Sequence, residues 1–199
     1  MSMGTEREPG SFAYLDQDQP EPALLVVIGA IPKRWGRMDR LSRLAVVEVG
    51  RVLKAAGLSR YESPDVAALS GAGLIGASRH GSLTTDLAYG RTLAGGINLA
   101  SPTLFSYTLP NIALAEAASH YGLTGPVYSL FSPDAAEAEA EARRWLAEDP
   151  GPEFMVAGLI DIYPAAATSR SDRPSGPAGS GNGEVVAVNF KIVRRTCPT

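Results

Sequence analysis

Residues 99–132, LASPTLFSYTLPNIALAEAASHYGLTGPVYSLFS, constrain the fold more than any other part of the chain. Proline sets its own φ and biases the residue before it away from helix, so each proline here marks a boundary. Pro102 stiffens a loop, Pro110-Asn111 makes a turn, and Gly125-Pro126 makes another. Between them, residues 112–121 contain only good or neutral helix formers and stop at Gly122, where a C-cap glycine belongs. A short apolar strand follows over residues 126–130. Turn, helix, glycine and strand in this order predict a helix laid against a sheet.

The rest of the chain supplies the partners for that unit. Residues 1–22 are polar, with glycine, proline and acidic residues, and are expected to stay loose. Residues 23–28, ALLVVI, form a continuous apolar run ended by Gly29, and their length and Val/Ile content predict a strand buried on both faces. From Met38 the period changes. Met38, Leu41, Leu44, Ala45, Val49, Val52, Leu53 and Ala56 recur at helical spacing, with Asp39, Arg40, Arg43, Glu48 and Arg51 between them and Gly57 closing an amphipathic helix.

Residues 73–77 read as a glycine-bearing strand and residues 83–93 as a short helix. Ser132 and Pro133 read as the N-cap and first turn of a helix over residues 135–147, with acids early and Arg143 and Arg144 late, as the helix dipole favours. Residues 154–162 (FMVAGLIDI) predict another buried strand, residues 165–183 a flexible loop, and residues 184–193 a final strand. Alternation of this kind predicts one α/β domain over residues 23–194, with a five-stranded mixed sheet, helices on both faces and a short 195–199 tail. The last strand is expected to pair antiparallel.

Composition narrows the function classes. A chain of 199 residues that is 45% hydrophobic has enough apolar mass for one core. A net charge of −3 provides no basic field for a phosphate backbone, so nucleic acid is not expected as a partner. Cys197 is the only cysteine, which leaves no intrachain disulfide and no cysteine metal cluster. No apolar run approaches the roughly 18 residues of a membrane span, and the start lacks the layout of a signal peptide. A cytoplasmic protein is the expectation.

Several residue groups suggest chemistry, and each has a plainer reading. Gly71, Gly73 and Gly76 spell the dinucleotide fingerprint, but a poor strand precedes them and Arg79-His80-Gly81 follows where a helix is needed. No cofactor is expected there. His80, Ser82 and Asp86 are the residue types of a hydrolytic triad, yet a polar loop entering a helix, capped by Ser82 or Thr84, explains them. His120 suits the C-terminal end of its helix, and no His/Asp/Glu set has metal spacing. Trp35 and Trp145 read as packing residues, with Trp35 beside Lys33 and Arg34 also able to face a partner. Cys197 lacks the fixed neighbours that activate a thiol.

Four segments carry a resemblance. They are RMDRLSRLA at residues 37–45, GSLTTD at 81–86, SPTLF at 101–105 with TLPN at 108–111, and GLTGP at 122–126. In these the chain resembles the N-terminal half of a β-ketoacyl synthase, within the thiolase-like fold. More narrowly it is similar to the ketosynthase-like domains of bacterial aryl-polyene-type gene clusters. The resemblance spans roughly residues 23–194 and implies a thiolase-like half-unit. It implies an interface of a homodimer, or of a heterodimer with a ketosynthase, at Pro110, Asn111, Val127, Tyr128 and Leu130.

Its departures matter as much. Active ketosynthases carry a cysteine nucleophile, which attacks an acyl thioester, at the turn after this strand. Counted from Gly125-Pro126, that position is Asp134, and a slip of one or two residues offers Ser132. The family's two histidines belong to a C-terminal half that this sequence does not reach. The resemblance therefore implies a non-catalytic or partner-dependent relative of the 3-oxoacyl-(acyl carrier protein) synthases in fatty-acid or polyketide-type chain assembly, with an acyl carrier protein as a second partner. The alternatives are a malonyl or acyl thioester decarboxylase or hydrolase using Asp134, and an acyl-binding or relic interaction module.

Overall fold

Side chains alternate across each strand, and that alternation divides the core in two. A computed structural model describes residues 12–59, 69–167, 178–181 and 183–195. Its strands are β1 (Leu74–Ser78), β2 (Val127–Phe131), β3 (Phe154–Pro164), β4 (Ala178–Gly181) and β5 (Glu184–Arg194). They lie in the order β2-β1-β3-β5-β4. β2, β1 and β3 are parallel, while β5 runs antiparallel to both β3 and β4.

Helix α1 (Pro22–Ile28), α2 (Arg40–Ala55) and α5 (Pro110–Tyr121) cover one face, where Leu74, Val156, Ile160, Val186 and Val188 join their core. Helix α6 (Ala135–Glu148) covers the other through Ala138, Ala142 and Leu146, against Ile75, Ala77, Met155, Ala157 and Ala187. Between β1 and α5 lie α3 (Leu83–Leu93) and the short α4 (Pro102–Ser106). The α2–α5 contact is close because residue 50 has no side chain. A Cβ on Gly50 would sit 2.2 Å from Tyr121 Oη, which donates at 2.8 Å to the Val46 carbonyl.

Four of the five predicted strands are present, and the last does pair antiparallel. The fifth, residues 23–28, is corrected: it is α1. Pro22 takes the first turn, Gly29 ends the helix at φ +74°, and Leu24 and Ile28 are buried while Val26 is exposed. That is a helical period, and a short apolar run alone does not distinguish the two states. The hairpin strand β4 takes the outer place beside β5. The predicted loop at Pro102 is a helical turn, because Ser101 accepts from Leu104 N–H and Pro102 occupies the first helical position. Pro110 likewise begins α5.

The segment expected to stay loose is also different from residue 12 onward. Tyr14 and Leu15 are buried in the core. Arg43 donates to the Leu15 carbonyl at 2.9 Å and to the Trp35 carbonyl at 3.2 Å, and Tyr14 Oη donates to Glu48. Arg43 and Glu48, two of the polar residues of the amphipathic α2, are thus covered by the N-terminal segment. Trp35 is a packing residue, buried, with its indole N–H on the Gln17 carbonyl. Cys197, residues 60–68 ahead of β1 and most of the 165–183 loop lie outside the described residues.

Candidate functional site

Because β1, β2 and β3 are parallel, their C-terminal ends share one edge of the sheet, the edge where α/β folds hold ligands. The turn from β2 into α6 lies there. Ser132 N–H donates to the Ser78 carbonyl at 3.1 Å, so the ladder still holds the chain at this residue. Ser132 is buried, and its Oγ accepts from Asp134 N–H at 3.1 Å. Asp134, exposed, is the N-cap of α6: its Oδ1 accepts from Ala136 N–H at 2.8 Å. The cap predicted at Ser132 therefore falls two residues later, because Ser132 is still committed to the strand.

The predicted interface residues divide by the direction they face. Among the described residues β2 has a strand neighbour on one side only, and its residues are half-buried up to Phe131, which is 87% exposed. Val127 packs toward the α2–α5 layer and Leu130 toward α6. Tyr128 is also turned to α6: its hydroxyl receives the Trp145 indole N–H at 2.7 Å and donates to Glu141. Burial first, and that bond to Glu141 second, push the Tyr128 phenol up; Arg144 first, then Tyr128, hold the Glu141 carboxyl down. Pro110 and Asn111 are exposed at the start of α5, and Asn111 Oδ1 accepts from Ser129 N–H at 2.8 Å.

Sequence reading missed the apolar residues around this edge. Ile97, Leu99, Phe105 and Leu109, like Phe131, are more than half exposed. Their signal was available as large apolar residues in a stretch broken by prolines and glycines, where no periodic face can bury them. Beneath this stretch, Tyr107 is buried and donates to Glu116, which Arg34 also pairs at 3.0 Å. Burial, then the Glu116 charge, pushes the Tyr107 phenol up to about 12.

His80, Ser82 and Asp86 do not form a relay. Ser82 Oγ lies 3.1 Å from both Asp86 oxygens and 2.5 Å from the Thr108 carbonyl. His80 stacks on Tyr163 at 3.9 Å, and its Nδ1 is 3.7 Å from a different carboxylate, Asp161. Asp161 is buried and accepts from Ser78 Oγ at 2.6 Å and from the N–H groups of Arg79 and His80 at 3.0 Å each. This carboxylate shapes the β1–α3 loop. His120 Nε2 lies 2.9 Å from the Ile28 carbonyl, a structural contact.

The sequence model of the β-ketoacyl synthase N-terminal domain matches residues 21–140, more than half of the 199. The chain belongs to the β-ketoacyl synthase family. In that family a solved structure, the ishigamide ketosynthase/chain length factor, is similar at a TM-score of 0.63 and 17% identity, over 96% of this chain and 54% of that one. At this identity the likeness concerns the fold, and the chain spans about half the length of that structure. No curated protein sequence matches it. The ketosynthase-like α/β half-unit implied by the resemblance is therefore the architecture present, and among the described residues no helix is long and apolar enough to cross a membrane.

Proposed function

We propose that this chain is a non-catalytic or partner-dependent ketosynthase-like subunit in fatty-acid or polyketide-type acyl chain assembly. One observation supports the reading: Asp134, which the resemblance puts at the position of the family's thiolate, has a carboxylate oxygen engaged in the α6 cap. The helix behind it supports the same reading. α6 buries Ala138, Ala142 and Leu146 toward the sheet, and Glu137, Arg143, Arg144 and Glu148 stand on its exposed side. The partner is a second copy or a ketosynthase, docked along the β2 edge and the start of α5, with an acyl carrier protein delivering to the pair. The structural neighbour's own description, a ketosynthase with a chain length factor, supports a partnership of this type.

The interface is tested at Phe131, whose side chain is 87% exposed. Phe131→Asp is expected to halve the mass measured by light scattering while leaving the far-ultraviolet circular dichroism unchanged. Leu130→Asp is expected to dissolve the assembly as well, with some loss of stability because Leu130 packs toward α6. An unchanged mass for both variants counts against the assignment.

A second reading rests on the exposure of Asp134 at the ligand-holding edge: hydrolysis of an acyl thioester or decarboxylation of a malonyl one. It predicts free acid or carbon dioxide released by the natural protein and abolished in Asp134→Ala. The subunit reading predicts no release from either protein. In both cases Asp134→Ala costs about 1 kcal/mol through loss of the helix cap.

A further inference from the structure

The C-terminal ends of β1 and β3 lead into the walls of a pocket of about 190 Å³. Gly81 and Ser82 reach it from the turn after β1, and Ile162 from near the end of β3. The start of α2 closes it with Met38 and Leu41, α3 with Ala88, and α4 with Leu104. Crevices outside the carboxyl ends of parallel strands are where α/β folds hold ligands. No residue of β2 or α6 lines this one, so it does not include the Asp134 turn.

Two side-chain bonds fix the walls. Thr85 Oγ1 donates to Asp39 Oδ2 at 2.6 Å, tying α3 to the start of α2. Thr84 Oγ1 donates to the Ile162 carbonyl at 3.1 Å, tying α3 to β3. The other polar groups are engaged in the same way. Asp39 Oδ1 receives the Ser42 N–H at 2.9 Å, and Ser82 Oγ bonds Asp86 at 3.1 Å. The outer nitrogens of Arg40 pair with Asp16 at 2.5 Å and Glu184 at 3.3 Å, while its buried Nε has no partner among the described residues. Most of the surface left to a ligand is apolar. Its charges favour no anion, because Arg40 is outnumbered by the carboxylates of Asp16, Asp39 and Glu184.

We propose that this pocket takes up an uncharged apolar molecule of about the size of a six-membered ring. An apolar cavity of about 150 Å³ already accommodates benzene, and this one is somewhat larger. Water is a poor occupant, because it needs several polar partners and those at hand are engaged with one another. A carboxylate or phosphate would lose its hydration and meet Asp39 beside an Arg40 that is already paired. The walls are tied before a ligand arrives, so little ordering has to accompany binding. A bound molecule touches α2, α3, α4 and β3 at once. The inference rests on the pocket alone and holds whether or not the ketosynthase-type partnership does.

Benzene and benzoate, one ring without and with a charge, are the probes. In the natural protein, titration with benzene is expected to shift the amide resonances of Leu41, Thr85, Ala88 and Leu104 along one saturating curve. Benzoate is expected to bind at least about tenfold more weakly. Shifts that do not saturate, shifts as large at the exposed Ile97, Leu99 and Phe131, or equal affinity for the two probes would each overturn the proposal. Two variants change the space itself. Ala88→Leu fills it from α3 and is expected to weaken benzene binding at least about tenfold with native circular dichroism. Leu104→Ala widens it from α4 and is expected to bind naphthalene at least about tenfold more tightly than the natural chain does. Unchanged benzene affinity in a native Ala88→Leu, or unchanged naphthalene affinity in Leu104→Ala, means that the ligand sits elsewhere and overturns the assignment. Loss of the natural assembly in Phe131→Asp bears on the proposed partnership and leaves the pocket untouched.

Discussion

Gly158→Ala is expected to lower the unfolding free energy by more than about 3 kcal/mol, beyond the usual range for an added methyl in a packed core. Gly158 lies in β3 with β1 on one side and β5 on the other, opposite Gly76 and Phe190. A Cβ there would sit 1.9 Å from the Asn189 carbonyl oxygen and 2.6 Å from the Phe190 Cα. Both are backbone atoms, so no rotamer change relieves the clash, and β3 and β5 have to move apart. Their pairing runs over 11 residue pairs and joins the parallel strands to the rest of the sheet. For a chain of this size the loss corresponds to a melting temperature lower by about 6–12 °C. Urea unfolding followed by circular dichroism measures it. A loss under about 1 kcal/mol would show that β5 has room to shift, contrary to the packing described.

Asp161→Ala is expected to cost a similar amount, about 3–5 kcal/mol, for an electrostatic reason instead of a steric one. The carboxylate receives Ser78 Oγ and the N–H groups of Arg79 and His80, and alanine would leave these donors without an acceptor in a buried site. Asp161→Asn keeps one acceptor oxygen and is expected to lose about half as much. The damage should be local first: amides of residues 79–81 lose protection in Asp161→Asn before those of β3 and β5 do. Equal stability of the alanine variant and the natural protein would mean that water replaces the carboxylate, and the loop would not depend on Asp161.

The two residues differ in how visible they were beforehand. FMVAGLIDI announced a buried strand, and a strand it is, but nothing in its pattern marked Gly158 as a point of backbone contact or Asp161 as an anchor. The partners of Asp161 lie 81 to 83 residues away along the chain. The Asn111–Ser129 bond spans 18 residues and two elements. Contacts of this kind follow from strand order, which periodicity does not encode. At ALLVVI the composition favours a strand and the structure has a helix. The punctuation that decides for a helix is Pro22 before and Gly29 after.

Sequence alone determined the parts whose causes are local. The period of α2, the Gly122 stop of α5, the early acids and late arginines of α6, the apolar strands and the motifs that mark a ketosynthase-like chain depend on neighbours a few residues apart. Tertiary structure decided what lies outside that range. It made residues 12–18 the cover of Arg43 and Glu48, put the α6 cap at Asp134 because Ser132 still pairs with Ser78, and brought Asn111 Oδ1 to the Ser129 N–H of β2. The physical reason is the same each time. A polar group takes the partner that folding brings within about 3 Å, and sequence proximity names that partner only when the two belong to the same turn.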